Sequence, residues 1–222
     1  MQSINIFDLV NEPDNLPQKF ESKAYEQEEE IDDSAELLNT RLLRNELQYK
    51  GYISFSILAD EIYRQPVRIG KTSFSYFVMK KIYNAYYKES ISLPAYGALV
   101  TLCKNDEAER VRAFLSDEFN MSLEQHVFDI LKIIEESTDV RKAKFKVKIE
   151  TVESVSVGGT RVSDTKYYER LFTQGKLNAV IVTFDTPAKA VTFRIDKEGK
   201  IFLYTQLGDT EILDLVEQLI DL

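Results

Sequence analysis

KAKFKVKIETVESVSV, residues 142–157, changes the period of this chain. Phe145, Val147, Ile149, Thr151, Val155 and Val157 fall on odd positions, and Lys144, Lys146, Lys148 and Glu150 on even ones. Successive strand side chains point to opposite faces, so the stretch predicts one long strand with a dry face and a lysine-bearing wet face.

Downstream the pattern predicts a helix over 164–174, followed by Gly175. Strands are then expected at 179–185, 188–195 and 200–206, with turns at Thr186-Pro187 and Lys197-Glu198-Gly199. An amphipathic helix over 210–222 carries Ile212, Leu215, Val216 and Leu219. The C-terminal part therefore reads β-α-β-β-β-α, an antiparallel sheet with helices on one side.

Upstream the apolar spacing reads as helical. Ser34 is an N-cap candidate, Leu38, Leu42, Leu43 and Leu47 follow at helical intervals, and Gly51 is a stop. Further helices are predicted over 56–64 before Pro66, over 73–87, from Pro94 to about Cys103, over 106–114, and over 122–136 with Ser122 as N-cap. The fold class expected is α+β: a mostly helical N-terminal half and a sheet-bearing C-terminal half. The expected domains are an acidic flexible arm at 1–33, a helical domain at 34–140 and a sheet domain at 141–222.

The last five predicted elements, in the order α-β-β-β-α, resemble the double-stranded-RNA-binding fold. The resemblance is topological only. That family grips phosphates with a lysine-rich start to its final helix. Here the helix opens Asp209-Thr210-Glu211, and no base follows to the end of the chain. The family's function is not carried over.

The net charge of −9 sits in residues 1–40, where eleven acids face Lys19 and Lys23; residues 41–222 sum to zero. An acidic total therefore does not exclude an anionic partner. Pro13 and Pro17 break any helix in the arm, and the acidic run 26–33 resists burial. Ile4, Ile6, Phe7, Leu9 and Val10 form an apolar cluster at the start. It reads either as a peptide that docks a protein partner or as a strand or helix folded back on the body.

Two basic stretches follow. Arg64, Arg68, Lys71, Lys80 and Lys81 lie within residues 53–88, where two helices about the Pro66–Gly70 break would resemble a helix-turn-helix DNA reader. Their alternative is a plain helical layer with Phe74, Phe77, Val78, Ile82 and Tyr86 as core. The Lys144, Lys146, Lys148 comb offers a second cationic surface, or simply a strand guarded against aggregation.

Catalytic signals are sparse. His126 is the only histidine and Cys103 the only cysteine, too few for a zinc site, and no phosphate-binding glycine loop or nucleophile elbow occurs. Asp185, Glu198 and Lys200 have the residue types of a carboxylate–metal nuclease, although Glu198 falls in a turn. No catalytic residue, metal or cofactor is expected. The N-terminus lacks the basic start and long apolar run of a signal peptide, and no apolar run is long enough to span a membrane as a helix. An intracellular, cytoplasmic setting is expected. The function expected is that of a non-catalytic interaction or regulatory protein, with a DNA-binding regulator and a nuclease as alternatives.

Overall fold

Residues predicted as helices in the first half pair as strands in the computed structural model, which describes residues 2–11, 23–31, 34–89, 97–149 and 151–222. The strands there are β1 (Gln2–Leu9), β2 (Lys23–Ile31), β3 (Ser34–Tyr49), β4 (Tyr52–Tyr63), β5 (Val67–Ile69), β6 (Thr72–Phe74), β7 (Phe77–Glu89) and β8 (Gly97–Thr101). The mostly helical N-terminal half is thus corrected to antiparallel sheet. The cause lies in the spacing. Leu38 and Leu42, or Val78, Ile82 and Tyr86, recur every four residues, which suits a helix face and is also an even number, so it suits a strand face. Composition breaks the tie. Residues 52–63 and 77–89 are rich in Ile, Phe and Tyr, which pack well on pleated sheet. Pro94 and the helix start assigned to it lie outside the described residues.

The chain divides into two compact units, one of residues 8–102 and 106–123, the other of residues 1–7, 103–105 and 124–222. In the first, the strands run in the order β8-β7-β4-β3-β2. β4 and β7 pair without interruption from Ile53↔Tyr87 to Tyr63↔Phe77. A small β5–β6 hairpin lies between them in sequence, turning at Gly70, whose φ of 62° suits glycine. The acidic run expected to stay in a flexible arm forms β2, paired with β3 from Lys23↔Leu42 to Ile31↔Ser34. Glu26, Glu28 and Glu30 remain solvated there. Charges on a terminal strand also discourage pairing with another chain. Residues 12–22 and 32–33 of the proposed arm lie outside the described residues. Helix α1 (Asn105–Phe119) buries Ala108, Val111, Leu115 and Phe119, a helical interval, against one face of this sheet. The Phe114 ring meets Tyr25 edge-on at 5.1 Å.

The second unit holds the first residues of β1, part of β9 (Leu123–Gln125), α2 (Ile130–Glu136), β10 (Asp139–Ile149), β11 (Val152–Gly158), a 3-10 turn (Val162–Asp164), α3 (Lys166–Gln174), β12 (Lys176–Asp185), β13 (Ala190–Asp196), β14 (Ile201–Leu203) and α4 (Asp209–Ile220). Its strand order is β11-β10-β12-β13-β14-β1. The single strand expected over 142–157 is a hairpin, so this half gains a strand, β-β-α-β-β-β-α. Cross-strand partners share a face, and here Lys142 meets Gly158, Lys144 meets Ser156 and Phe145 meets Val155. Odd meets odd, so the alternation passes through the hairpin unchanged and one strand looks like two.

Asp129, not Ser122, caps the helix expected over 122–136; its carboxylate accepts from the Leu131 and Lys132 amides. Thr165 caps α3 in the same way. The buried face of this sheet carries Ala143, Phe145, Val147, Val180, Val182, Val191, Phe193, Ile195, Ile201 and Leu203. Phe145 meets Tyr168 of α3 edge-on at 5.4 Å. α4 buries Ile212, Leu213, Leu215, Val216 and Leu219.

Candidate functional site

The other face of the second unit's sheet is open, and cations gather on it. Between buried Ala143, Phe145 and Val147, the residues Lys142, Lys144, Lys146 and Lys148 point to solvent. Alternate residues of a strand stand about 6.6 Å apart, so the lysines form an evenly spaced row. Register carries the row across the sheet. Lys144 sits beside Ser156 and Ala179, and Lys142 beside Ile181, which in turn pairs with Arg194 and then Phe202. Arg194 therefore shares the face with Lys142 although 52 residues separate them.

Lys142, Lys144, Ser154, Ser156, Arg194 and Tyr204 line a cavity of about 380 Å³, floored by Ala179 and Ile181. The Arg194 guanidinium lies 5.5 Å from the centre of the Phe202 ring, which holds its long side chain across the sheet. Its ion pair with Asp196 is long, at 3.9 Å. Tyr204, just past β14, is 49% exposed, with its backbone N–H held by the Thr192 carbonyl at 2.9 Å. Among the described residues, none of Lys142, Lys144, Lys146 and Lys148 has an ion-pair partner, whereas neighbouring Arg141 is engaged by Asp139 at 3.4 Å. The acids of this unit's C-terminus lie instead on α4, whose first turn holds Asp209 and Glu211.

The structure therefore places Lys144, Lys146 and Lys148 on one open strand face with Lys142, and of the four brings Lys142 and Lys144 into one cavity with Arg194, Ser154, Ser156 and Tyr204. Arg194 and Tyr204 carry no local signal of their own. Only register puts them there.

The basic residues of 53–88 are arranged differently. No helix-turn-helix exists, because the segment is β4, the β5–β6 hairpin and β7. Arg64, Arg68 and Lys71 are exposed at and around the hairpin, with Arg68 Nε donating to the Gly70 carbonyl at 3.1 Å. Lys80 pairs with Asp60 at 3.6 Å. Lys81 is engaged by Glu61 at 3.1 Å and Glu107 at 3.0 Å, and Tyr63, then Glu107 and Glu61, hold its ammonium above the ordinary lysine range. Glu61 also accepts from the Tyr63 and Tyr83 hydroxyls and pairs with Arg110 at 2.7 Å. This network fastens α1 to its sheet beside a cavity of about 360 Å³. Its charges answer one another, and Lys81 is held within it by two carboxylates.

Apart from Val10, which is exposed, the apolar cluster at the start of the chain is interior. Ile4, Ile6 and Leu9 are 0% exposed and Phe7 1%, and Ile4 pairs with Ile201 of β14. Of the two readings, the strand folded into the body is the one seen, so these four side chains present no docking surface.

The carboxylates of the nuclease alternative are apart. Asp185 pairs with Ala190 at one end of the β12–β13 hairpin, while Glu198 follows Asp196, which pairs with Ala179 at the other. Glu198 is bound to Lys200 at 2.8 Å, which lowers its pKa. Among the described residues no group of three metal-ligating side chains converges. His126 packs its ring against Phe128 at 4.5 Å. Cys103 is half-buried, its carbonyl accepting from Asn5.

Among the described residues no helix is long and apolar enough to cross a membrane. A scan against protein-family models finds no match, and a search of curated proteins finds none either.

Proposed function

We propose that this chain is a non-catalytic binding protein that holds an anionic macromolecule on the open face of the β11-β10-β12-β13-β14 sheet. The row of ion-pair-free lysines carries the reading. Unanswered like charges about 6.6 Å apart repel one another, and a polyanion relieves that repulsion while releasing its own counterions. Ser154 and Ser156 supply hydroxyls that orient phosphate or carboxylate oxygens, and Arg194 supplies a planar fork. These groups recognise and position; they do not form an acid–base pair.

Inorganic polyphosphate, titrated by calorimetry at two salt concentrations, tests the reading. Binding is expected to weaken steeply as salt rises. Lys142→Glu combined with Lys144→Glu should abolish it without changing the thermal melt. Undiminished binding by the double variant refutes the assignment of the face.

A further inference from the structure

We infer that the anion held on this face is single-stranded nucleic acid, with Tyr204 as the platform on which a base stacks. The inference rests on the polyanion reading and adds what that reading leaves open, namely the use of the aromatic edge. A bare polyanion needs only the lysines. The site also has a half-exposed tyrosine at its rim and Phe202 beneath Arg194. Both belong to the same face as the lysine row, because Phe202 pairs with Arg194, Arg194 with Ile181, and Ile181 with Lys142. At about 4.8 Å per strand, the lysine row and the aromatic edge lie about 14 Å apart. A nucleotide strand laid obliquely across the sheet can hold its phosphates on Lys142 and Lys144 and turn a base toward Tyr204.

The geometry selects single strands. A phosphate-tracking groove beside a sequence-tolerant aromatic surface is the arrangement that binds unpaired strands. A duplex hides the faces of its bases, so Tyr204 offers it nothing. The cavity of about 380 Å³ is lined by the small or apolar Ala179 and Ile181 between its polar groups, which lets a planar ring approach the sheet.

The test uses the full chain and four probes: a dT oligonucleotide of about twelve nucleotides, the same length as duplex, inorganic polyphosphate and poly-glutamate. The dT strand is expected to bind more tightly than the duplex. Tyr204→Ala should weaken dT binding by about ten-fold, Tyr204→Phe should restore it, and polyphosphate binding should not change in either variant. Tyr204 is half-exposed, so the variant should keep the parent melting temperature; that melt is the check on folding. If dT and polyphosphate bind alike and Tyr204→Ala alters neither, the inference falls and the polyanion reading stands. Stronger binding of duplex, or of poly-glutamate, also overturns it. If no probe binds, both fall together.

Discussion

Ile82 and Tyr83 are neighbours in β7 and should respond very unequally to truncation. In a helix over 73–87, Ile82 would lie in the core. In the observed strand it is 65% exposed, and Tyr83 is 3% exposed with its hydroxyl on Glu61. Full burial of an isoleucine side chain contributes about 1.5–3 kcal/mol, so a residue keeping roughly a third of that burial stands to lose about 0.5–1 kcal/mol as Ile82→Ala. Tyr83→Ala removes a buried ring and strips one donor from a carboxylate, for a loss of about 3–5 kcal/mol. Urea unfolding followed by circular dichroism measures both. A loss for Ile82→Ala equal to or larger than that for Tyr83→Ala would overturn the strand assignment of residues 77–89. A null effect of Tyr83→Ala would equally refute the claim that the Glu61 network anchors α1.

Two further predictions concern the second unit. Gly199 sits at φ 77°, and a Cβ there would strike the His126 carbonyl, so Gly199→Ala should destabilise by about 2 kcal/mol; a thermal melt shifted by no more than experimental scatter would count against that contact. The Gly208 N–H at 2.8 Å, followed by Lys189, holds the Glu211 carboxyl below its ordinary value. A depressed carboxylate stabilises the fold above its unfolded pKa and loses that contribution as pH falls through the folded one. In a carbon-detected NMR titration Glu211 should therefore titrate below an ordinary glutamate, and Lys189→Ala should move it upward; an ordinary midpoint in the parent would contradict the cap.

How much could be read in advance differs between the two halves. Around residues 142–148 the alternation of lysine with Ala, Phe and Val is unambiguous, because no helix face accommodates a strict two-residue period over that length. That stretch was legible, and so were the lysines' outward direction and the amphipathic run that forms α4. Residues 34–89 misled because their apolar spacing of four satisfies both periods, and because Leu, Glu and Arg in β3 favour helix in isolation. Propensities of a few tenths of a kcal/mol per residue yield to long-range pairing. Ile4, Ile6, Phe7 and Leu9 were recognisable as apolar, but whether they face a partner or the core is a question about where β14 lies.

Composition and local period by themselves settled the location of the excess acid, the lysine comb and the scarcity of histidine and cysteine, since each is read directly along the chain. Tertiary structure alone decided that Lys142, Arg194 and Tyr204 share one open face, and that Lys81 is answered by Glu61 and Glu107 where Lys144 is not. The reason is register. Side chains alternate along each strand, so a one-residue slip between β10 and β12, or between β12 and β13, would move Arg194 to the other side of the sheet, and no local stretch of sequence records that offset.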